Sequence, residues 1–230
     1  MVGLAMIAAG VLSLGWALVV WRWQDPFTGA YTRWQQHRLD AQYHRIVAGW
    51  RPPAHTPASR LSSADTRRGV AREAAAYRRD VHPGQAIGRI VIGRLGLSMI
   101  VVEGTDTGSL EKGPGRDRRT YMPGENRLVY IAGHRTTYLA PFAHIDDIRP
   151  GDSIRLELPY ATFVYRAVRH EIVPADDLAV LRSPRYELLR LQACHPRFFA
   201  SHRYLVDARL ARVEPRVGAA YTLPVRAASG

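Results

Sequence analysis

Residues 84–212 consist mostly of short β-type runs separated by glycine and proline. In the clearest run, 153–158, apolar and polar residues alternate, which is typical of a strand with one buried face. Turn signals between the runs leave room only for short helical turns, which we expect near 140–148 and 175–181. So many short strands in one segment predict an all-β fold, a closed or nearly closed β-barrel. The predicted strands are 87–92, 97–103, 128–132, 153–158, 162–173, 186–193 and 203–211.

The N-terminus carries a long uncharged run at residues 2–21, followed by Arg22. Such a run is long enough to cross the hydrocarbon core as a helix, so we predict a transmembrane signal anchor over residues 1–23. Trp16, Trp21 and Trp23 gather at one end, where indoles favour the membrane interface. A cleaved signal peptide and a buried core helix are the alternatives. Arginines follow the run, and this charge bias alone would place the bulk of the chain in the cytoplasm.

Two segments flank the predicted barrel, which we assign to residues 84–212. Residues 24–83 are predicted to form a stalk or linker that is partly helical, with an amphipathic helix near 30–50. The stretch that follows is rich in proline, serine, threonine and alanine, which indicates a flexible spacer. Residues 213–230 are predicted to be a loose C-terminal tail.

The charge and the cysteine count limit the function classes. A net charge of +12 suits nucleic acid, anionic lipid or an anionic cell envelope. No nucleic-acid-binding motif is present, so we expect no nucleic-acid partner. The single cysteine, Cys194, excludes an intramolecular disulfide and a zinc finger, and no acidic cluster resembles a calcium loop. We therefore expect neither a metal nor a cofactor.

Three reactive side chains fall at ends of predicted strands. Cys194 follows one strand, Arg203 begins the next, and His134 follows an earlier one. A barrel can bring such ends together, as a nucleophile–base site requires. A nearby imidazolium or guanidinium favours the thiolate, histidine can protonate a leaving amine, and arginine can stabilise an oxyanion. The alternative for a lone cysteine is a small buried apolar residue.

Two long strings in the sequence resemble the class E sortases of actinobacteria. One is MPGENRLVYIAGHRTTYLAPF at 122–142, preceded by VVEGTD and LEKGPG; the other is CHPRFFASHRYLVDARL from Cys194. The resemblance implies an eight-stranded β-barrel and a membrane-anchored, outward-facing cysteine transpeptidase. It assigns the family's His–Cys–Arg set to His134, Cys194 and Arg203.

The resemblance also implies the reaction and its partners. A secreted protein with an LPXTG-like or LAXTG-like sorting signal would be cut between Thr and Gly, through a thioester on the cysteine. An amine of the peptidoglycan precursor would then accept the protein.

One segment departs from the family pattern. Where the family usually has TLTTC, this chain has RLQAC, so that Arg190 and Ala193 replace threonines. We expect Ala193 to line the substrate site, with Tyr138 and Phe142 as walls and Arg197 as a second possible clamp. Arg135 is predicted to be solvated, and strand alternation turns His195 and His202 away from the site.

Two other functions stay open at this point. The altered RLQAC segment suits a sortase-like envelope protein that binds sorting signals with little turnover. An L,D-type transpeptidase also pairs a cysteine with a histidine, but its signature places the two close together in sequence. In this chain His134 and Cys194 are far apart.

Overall fold

A computed structural model describes residues 2–23, 26–51 and 62–225, with the side chains of 18–23 and 26–27 outside the description. The helices are α1 Val2–Trp23, α2 Pro26–Gly49, α3 Ser63–Asp80 and α4 Thr107–Leu110. The strands are β1 Ala86–Ile92, β2 Leu97–Glu103, β3 Gly115–Arg116, β4 Leu128–Ala132, β5 Ser153–Glu157, β6 Ala161–Pro174, β7 Leu188–His195, β8 His202–Pro215 and β9 Tyr221–Thr222. Short 3-10 turns lie at Gly93–Leu95, Ile145–Asp147 and Leu178–Leu181.

The first eight strands close into a barrel. They follow the order β6-β5-β1-β2-β3-β4-β7-β8, and β8 pairs back onto β6. The pairs β2–β3 and β4–β7 are parallel, and the other pairs are antiparallel. This confirms the predicted eight-stranded barrel with short helices.

The barrel interior is the main hydrophobic core. Alternation places Ile154 and Leu156 of β5 inside, while Arg155 between them is exposed. Across the pair, Phe163 and Tyr165 of β6 are fully buried in the same cluster. Apolar side chains that point inward from every side therefore fix the strand registers, because a slip of one residue would turn them outward.

Both α2 and α3 pack against the barrel wall, which corrects the predicted stalk. The Gln36 side chain of α2 donates to the Ile100 carbonyl at 3.0 Å and accepts from the Ile100 amide at 2.7 Å. The Tyr77 hydroxyl of α3 donates to the Ile87 carbonyl at 3.1 Å. α3 begins at an N-cap, Ser62, although this region was predicted to be a flexible spacer. Most of that predicted spacer, residues 52–61, lies outside the described residues.

The two ends of the chain also differ from prediction. Residues 2–23 are helical, but none of the helices within the described ranges is both long and apolar enough to cross a membrane. The predicted transmembrane anchor is therefore not supported. At the C-terminus, β8 continues to Pro215 and β9 pairs with it, so the described part of the predicted loose tail is ordered in part by strand pairing.

Candidate active site

The site lies where three strands meet at one end of the barrel. β7 lies between β4, which is parallel to it, and β8, which is antiparallel to it. Consequently the C-terminal ends of β4 and β7 and the N-terminal end of β8 share one edge of the barrel. Side chains from distant parts of the sequence converge there.

Cys194 and Arg203 lie directly opposite each other in the β7–β8 ladder. Opposed residues of antiparallel strands point to the same face, with Cβ atoms about 4.5–5.5 Å apart. Both side chains are half-buried. Arg203 Nη1 donates to the carbonyls of Ala200 at 2.8 Å and His202 at 3.0 Å. These bonds hold one nitrogen of the guanidinium at the N-terminal end of β8, on the same face as the thiol.

His134 reaches the same place from β4. Ala132 pairs with Gln192 in the parallel ladder, and the Gly133 amide donates to the Gln192 carbonyl at 3.0 Å. The ladder ends at this pair, and His134 lies two residues beyond Ala132 just as Cys194 lies two residues beyond Gln192, so both fall at the same edge of the barrel. Alternation gives His134 the same face as Ala132, which packs in the apolar cluster with Leu188 of β7.

Burial makes the His134 imidazole less basic. Burial lowers the pKa of His134 below its usual range, and the Glu111 carboxylate acts in the opposite direction. The Nε2 atom is buried and has no hydrogen-bond partner among the described residues. Buried polar atoms in native proteins are nearly always satisfied, so an exception calls for an explanation such as catalysis. This unpartnered ring nitrogen makes His134 a candidate for proton transfer.

Tyr138, for which a role as a wall of the site was predicted, lies beside His134. The two rings are 5.1 Å apart between centroids and tilted by 35°. The Tyr138 hydroxyl donates to Glu111 Oε1 at 3.1 Å, and its amide donates to Thr28 Oγ1 of α2 at 3.2 Å. Glu111 and the first turns of α2 therefore help to fix the ring that contacts the imidazole.

Two predicted substrate contacts are wrong. Ala193 is 0% exposed and packs in the barrel core, on the face of β7 opposite Cys194. Phe142 is also 0% exposed and belongs to the same core cluster. Its amide donates to the His134 carbonyl at 3.1 Å, so Phe142 supports the histidine loop from within the barrel.

Arg190, which replaces a family threonine, lies on the Cys194 face of β7, further along the strand. It is buried and forms a two-bond ion pair with Asp207, its partner in the β7–β8 register, at 2.6 and 2.8 Å. Its Nη1 donates to the Val180 carbonyl at 2.7 Å and so ties the 3-10 turn Leu178–Leu181 to the strand. The substitution therefore changes the side chains that lie on the same face of β7 as Cys194.

Arg135, predicted to be solvated, is buried instead, with 4% of its surface exposed. Its Nη1 donates to the Cys194 carbonyl at 3.3 Å and contacts His195 Nδ1 at 2.9 Å. Its Nη2 pairs with Asp146 Oδ1 at 2.9 Å. The contact with His195 agrees with the prediction that His195 points away from the thiol and its partners.

The β7–β8 loop bounds the site on the far side. Arg197, the predicted second clamp, is half-buried, and its Nε is buried with no hydrogen-bond partner among the described residues. Phe199 in the same loop is 80% exposed. Phe198 and Ala200 have left-handed backbone with φ of 75° and 53°, a conformation that costs energy for residues other than glycine. The loop that follows Cys194 thus presents an exposed apolar side chain and a guanidinium whose buried Nε lacks a partner among the described residues.

Comparison with known proteins places the chain in a family. The sortase domain model matches residues 90–211. Sortase D of Bacillus subtilis is 36% identical over 128 residues, which cover 54% of this chain and 63% of the relative. Sortase SrtE1 of Streptomyces coelicolor is 28% identical over 154 residues, covering 58% and 43%. The chain thus spans less than two thirds of the length of either relative.

Solved structures show the same fold. A Clostridium perfringens sortase D5 transpeptidase superposes with a TM-score of 0.59 at 22% identity, covering 76% of this chain and 98% of that one. The matched region contains β4, β7 and β8 with His134, Cys194 and Arg203. The Streptomyces relative supports the class E resemblance, although the Bacillus relative is named sortase D. This chain belongs to the sortase family.

Proposed function

We propose that the protein is a sortase-type cysteine transpeptidase with Cys194 as nucleophile, His134 as acid and base, and Arg203 as the oxyanion or substrate clamp. The observation that carries the proposal is the register: Cys194 is opposite Arg203 on β8, and the β4–β7 ladder leads His134 to the same edge. Cys194 is the only thiol of the chain, so it is the only candidate for a thioester.

The reaction proceeds in two steps through a covalent intermediate. His134 takes the proton of the Cys194 thiol as the sulfur attacks the threonine carbonyl carbon of the sorting signal, and Arg203 stabilises the oxyanion. The peptide C–N bond then breaks, His134 donates a proton to the departing glycine amine, and a thioester remains. An acceptor amine attacks the thioester, gives up a proton to His134, and releases the thiol.

The substrate and location form the finer part of the proposal. The substrates are secreted proteins with an LAXTG-like or LPXTG-like signal, and the acceptor is an amine of the peptidoglycan precursor. The enzyme acts at the cell membrane with its catalytic domain outside. Support for membrane association comes from α1, whose side chains Leu4, Ile7 and Leu12 are exposed and apolar.

The test uses the whole chain and synthetic signal peptides without an acceptor amine. We expect intact mass to show an acyl adduct that Cys194→Ala lacks and that added triglycine releases. LAXTG and LPXTG peptides compared in parallel rank the two signals. Unchanged peptide cleavage by Cys194→Ala would reject the mechanism. Fractionation of cells and protease accessibility of the intact chain test the location.

A second function is favoured by one observation, the Arg190–Asp207 pair on the Cys194 face of β7. A protein that carries this ion pair in place of a threonine on the Cys194 face could bind sorting signals with little turnover. Tight peptide binding without an adduct, together with normal alkylation of Cys194, would favour this binding function over transpeptidation.

A further inference from the structure

The buried Arg135 guanidinium joins four elements behind the site. It follows His134 in sequence, contacts Cys194 and His195 at the end of β7, and pairs with Asp146 in the turn Ile145–Asp147. Its Cζ also lies 5.6 Å from the ring centroid of Tyr204 on β8, within the range of a cation–π contact. Arginine suits such a position because its planar fork donates in several directions at once.

The hydrogen bond from Arg135 to the Cys194 carbonyl replaces a backbone hydrogen bond that the β4–β7 ladder lacks. Two residues earlier on both strands, the Gly133 amide donates to the Gln192 carbonyl. In a parallel pair the next bond would run from the amide of residue 135 to the carbonyl of residue 194. The backbone hydrogen bonds of the described residues do not include this one, and the Arg135 side chain donates to the Cys194 carbonyl instead. The two strand ends that carry His134 and Cys194 are thus joined through one side chain.

We infer that Arg135 is a positioning residue that holds the Cys194 backbone in place against His134. The inference rests on the proposed function, since it concerns the pairing of those two groups. The arginine lies on the opposite face of the strands from the thiol, as its contact with His195 indicates, so it acts through the Cys194 carbonyl. Nucleophiles need near-ångström placement, because small displacements can reduce rates by about 100-fold.

The contacts of Arg135 are not those of an arginine kept for stability alone. Its Nε is buried without a hydrogen-bond partner among the described residues, and its acidic partner Asp146 is half-exposed. Because the Asp146 carboxylate keeps access to water, removing its arginine partner does not leave a buried unpaired charge, which is the change that destabilises strongly. Methionine in place of Arg135 can therefore leave the fold intact while it removes the bond to Cys194.

The test is a double-mutant cycle read by alkylation of the only thiol with iodoacetamide, which needs no sorting signal. Rates at several pH values are compared for wild type, His134→Ala, Arg135→Met and the double variant. Arg135→Lys keeps one donor and should restore part of the effect. Arg94→Met is a control for the loss of an arginine–aspartate pair, since Arg94, on the turn Gly93–Leu95, pairs with Asp152, although it is more exposed than Arg135. Melting curves confirm folding of each variant.

We expect His134→Ala to slow alkylation in wild type but to have little further effect in Arg135→Met, because the pairing is already lost. With sorting peptides, Arg135→Met should lower kcat by about 10- to 100-fold with less change in KM, and Arg135→Lys should be intermediate.

Equal effects of His134→Ala in both backgrounds would overturn the positioning role and leave the proposed function standing. No effect of His134→Ala in wild type would instead reject the Cys194–His134 pairing itself. If Arg135→Met fails to fold, the same cycle with Arg135→Lys decides by the same criterion.

Discussion

Among the described residues, buried polar groups are fully hydrogen-bonded at one end of β7 and lack partners at the other end. Just before the strand, the Glu187 carboxylate accepts from the Gly124 amide, the Asn126 amide and the Tyr165 hydroxyl, at 2.7–2.8 Å. At the far end, His134 Nε2, Arg135 Nε and Arg197 Nε are buried without partners among the described residues. Fully satisfied groups stabilise and rigidify a fold, whereas unsatisfied groups raise its energy. The contrast indicates that one end maintains the barrel and the other is arranged to meet a substrate.

The largest effect should come from Arg203 at the open end. We expect Arg203→Lys to lower kcat/KM for thioester formation by about 100- to 1,000-fold, because lysine cannot reproduce a planar two-donor clamp. Stability should change little, since the guanidinium is half-buried and its hydrogen bonds within the described ranges go to the nearby carbonyls of Ala200 and His202. Adduct formation by mass spectrometry and a melting curve check both parts. A large loss of stability would show that this end also maintains the fold.

At the satisfied end, the expected loss is in stability. Glu187→Ala leaves two amides and a hydroxyl buried without an acceptor, so the free energy of unfolding should fall by about 3 kcal/mol. Urea denaturation measures this change. The alkylation rate of Cys194 should stay at its wild-type value in the folded variant. A change in that rate would show that the two ends are coupled.

The pH dependence of stability should sharpen the same contrast. Burial raises the pKa of Glu187 from 4.5 to about 7, although its three donors act against the rise. Between these pH values the folded state holds a proton that the unfolded state has lost. This contribution to stability is therefore complete below pH 4.5 and disappears as the pH rises through about 7. We expect Glu187→Gln, which is neutral throughout, to reduce the difference between urea midpoints at pH 5 and pH 8. An unchanged difference would assign it to other groups.

The smallest effect concerns Glu111. Its carboxylate raises the pKa of His134 against the larger effect of burial, so Glu111→Gln should lower that pKa further. NMR titration of the His134 ring should show this shift, and the fall in acylation rate on the alkaline side should move to lower pH. A shift in the opposite direction would mean that loss of the Tyr138 hydroxyl bond dominates.

Strand positions were largely predictable because the signal is local. Alternation and turn residues marked seven barrel strands, while β3, with two residues, carries too short a pattern. α3 was missed although Val70, Ala74 and Tyr77 recur at helical spacing, because the preceding segment has the composition of a linker. Its stability depends on the barrel wall that its apolar face meets.

The candidate reactive groups could be named from the sequence, but most of their surroundings could not. The same alternation that turned His195 away from Cys194 also turns Ala193 away, and this signal was available in the sequence. The burial of Arg135 and the role of Glu111 were not, since each depends on side chains that only the closed barrel brings near. A resemblance of motifs names the reactive residues but does not reveal what holds them.

The direct pairing of Cys194 with Arg203 limits which insertions and deletions the chain can tolerate. One added or lost residue within β7 would send either Cys194 into the core or its arginine partner out of reach. The connection between Pro174 and Glu187 contains a short turn and can change length without altering that parity. Natural and engineered length variation should therefore accumulate in that connection, where it would reshape the wall beside the site and leave the reacting groups in place.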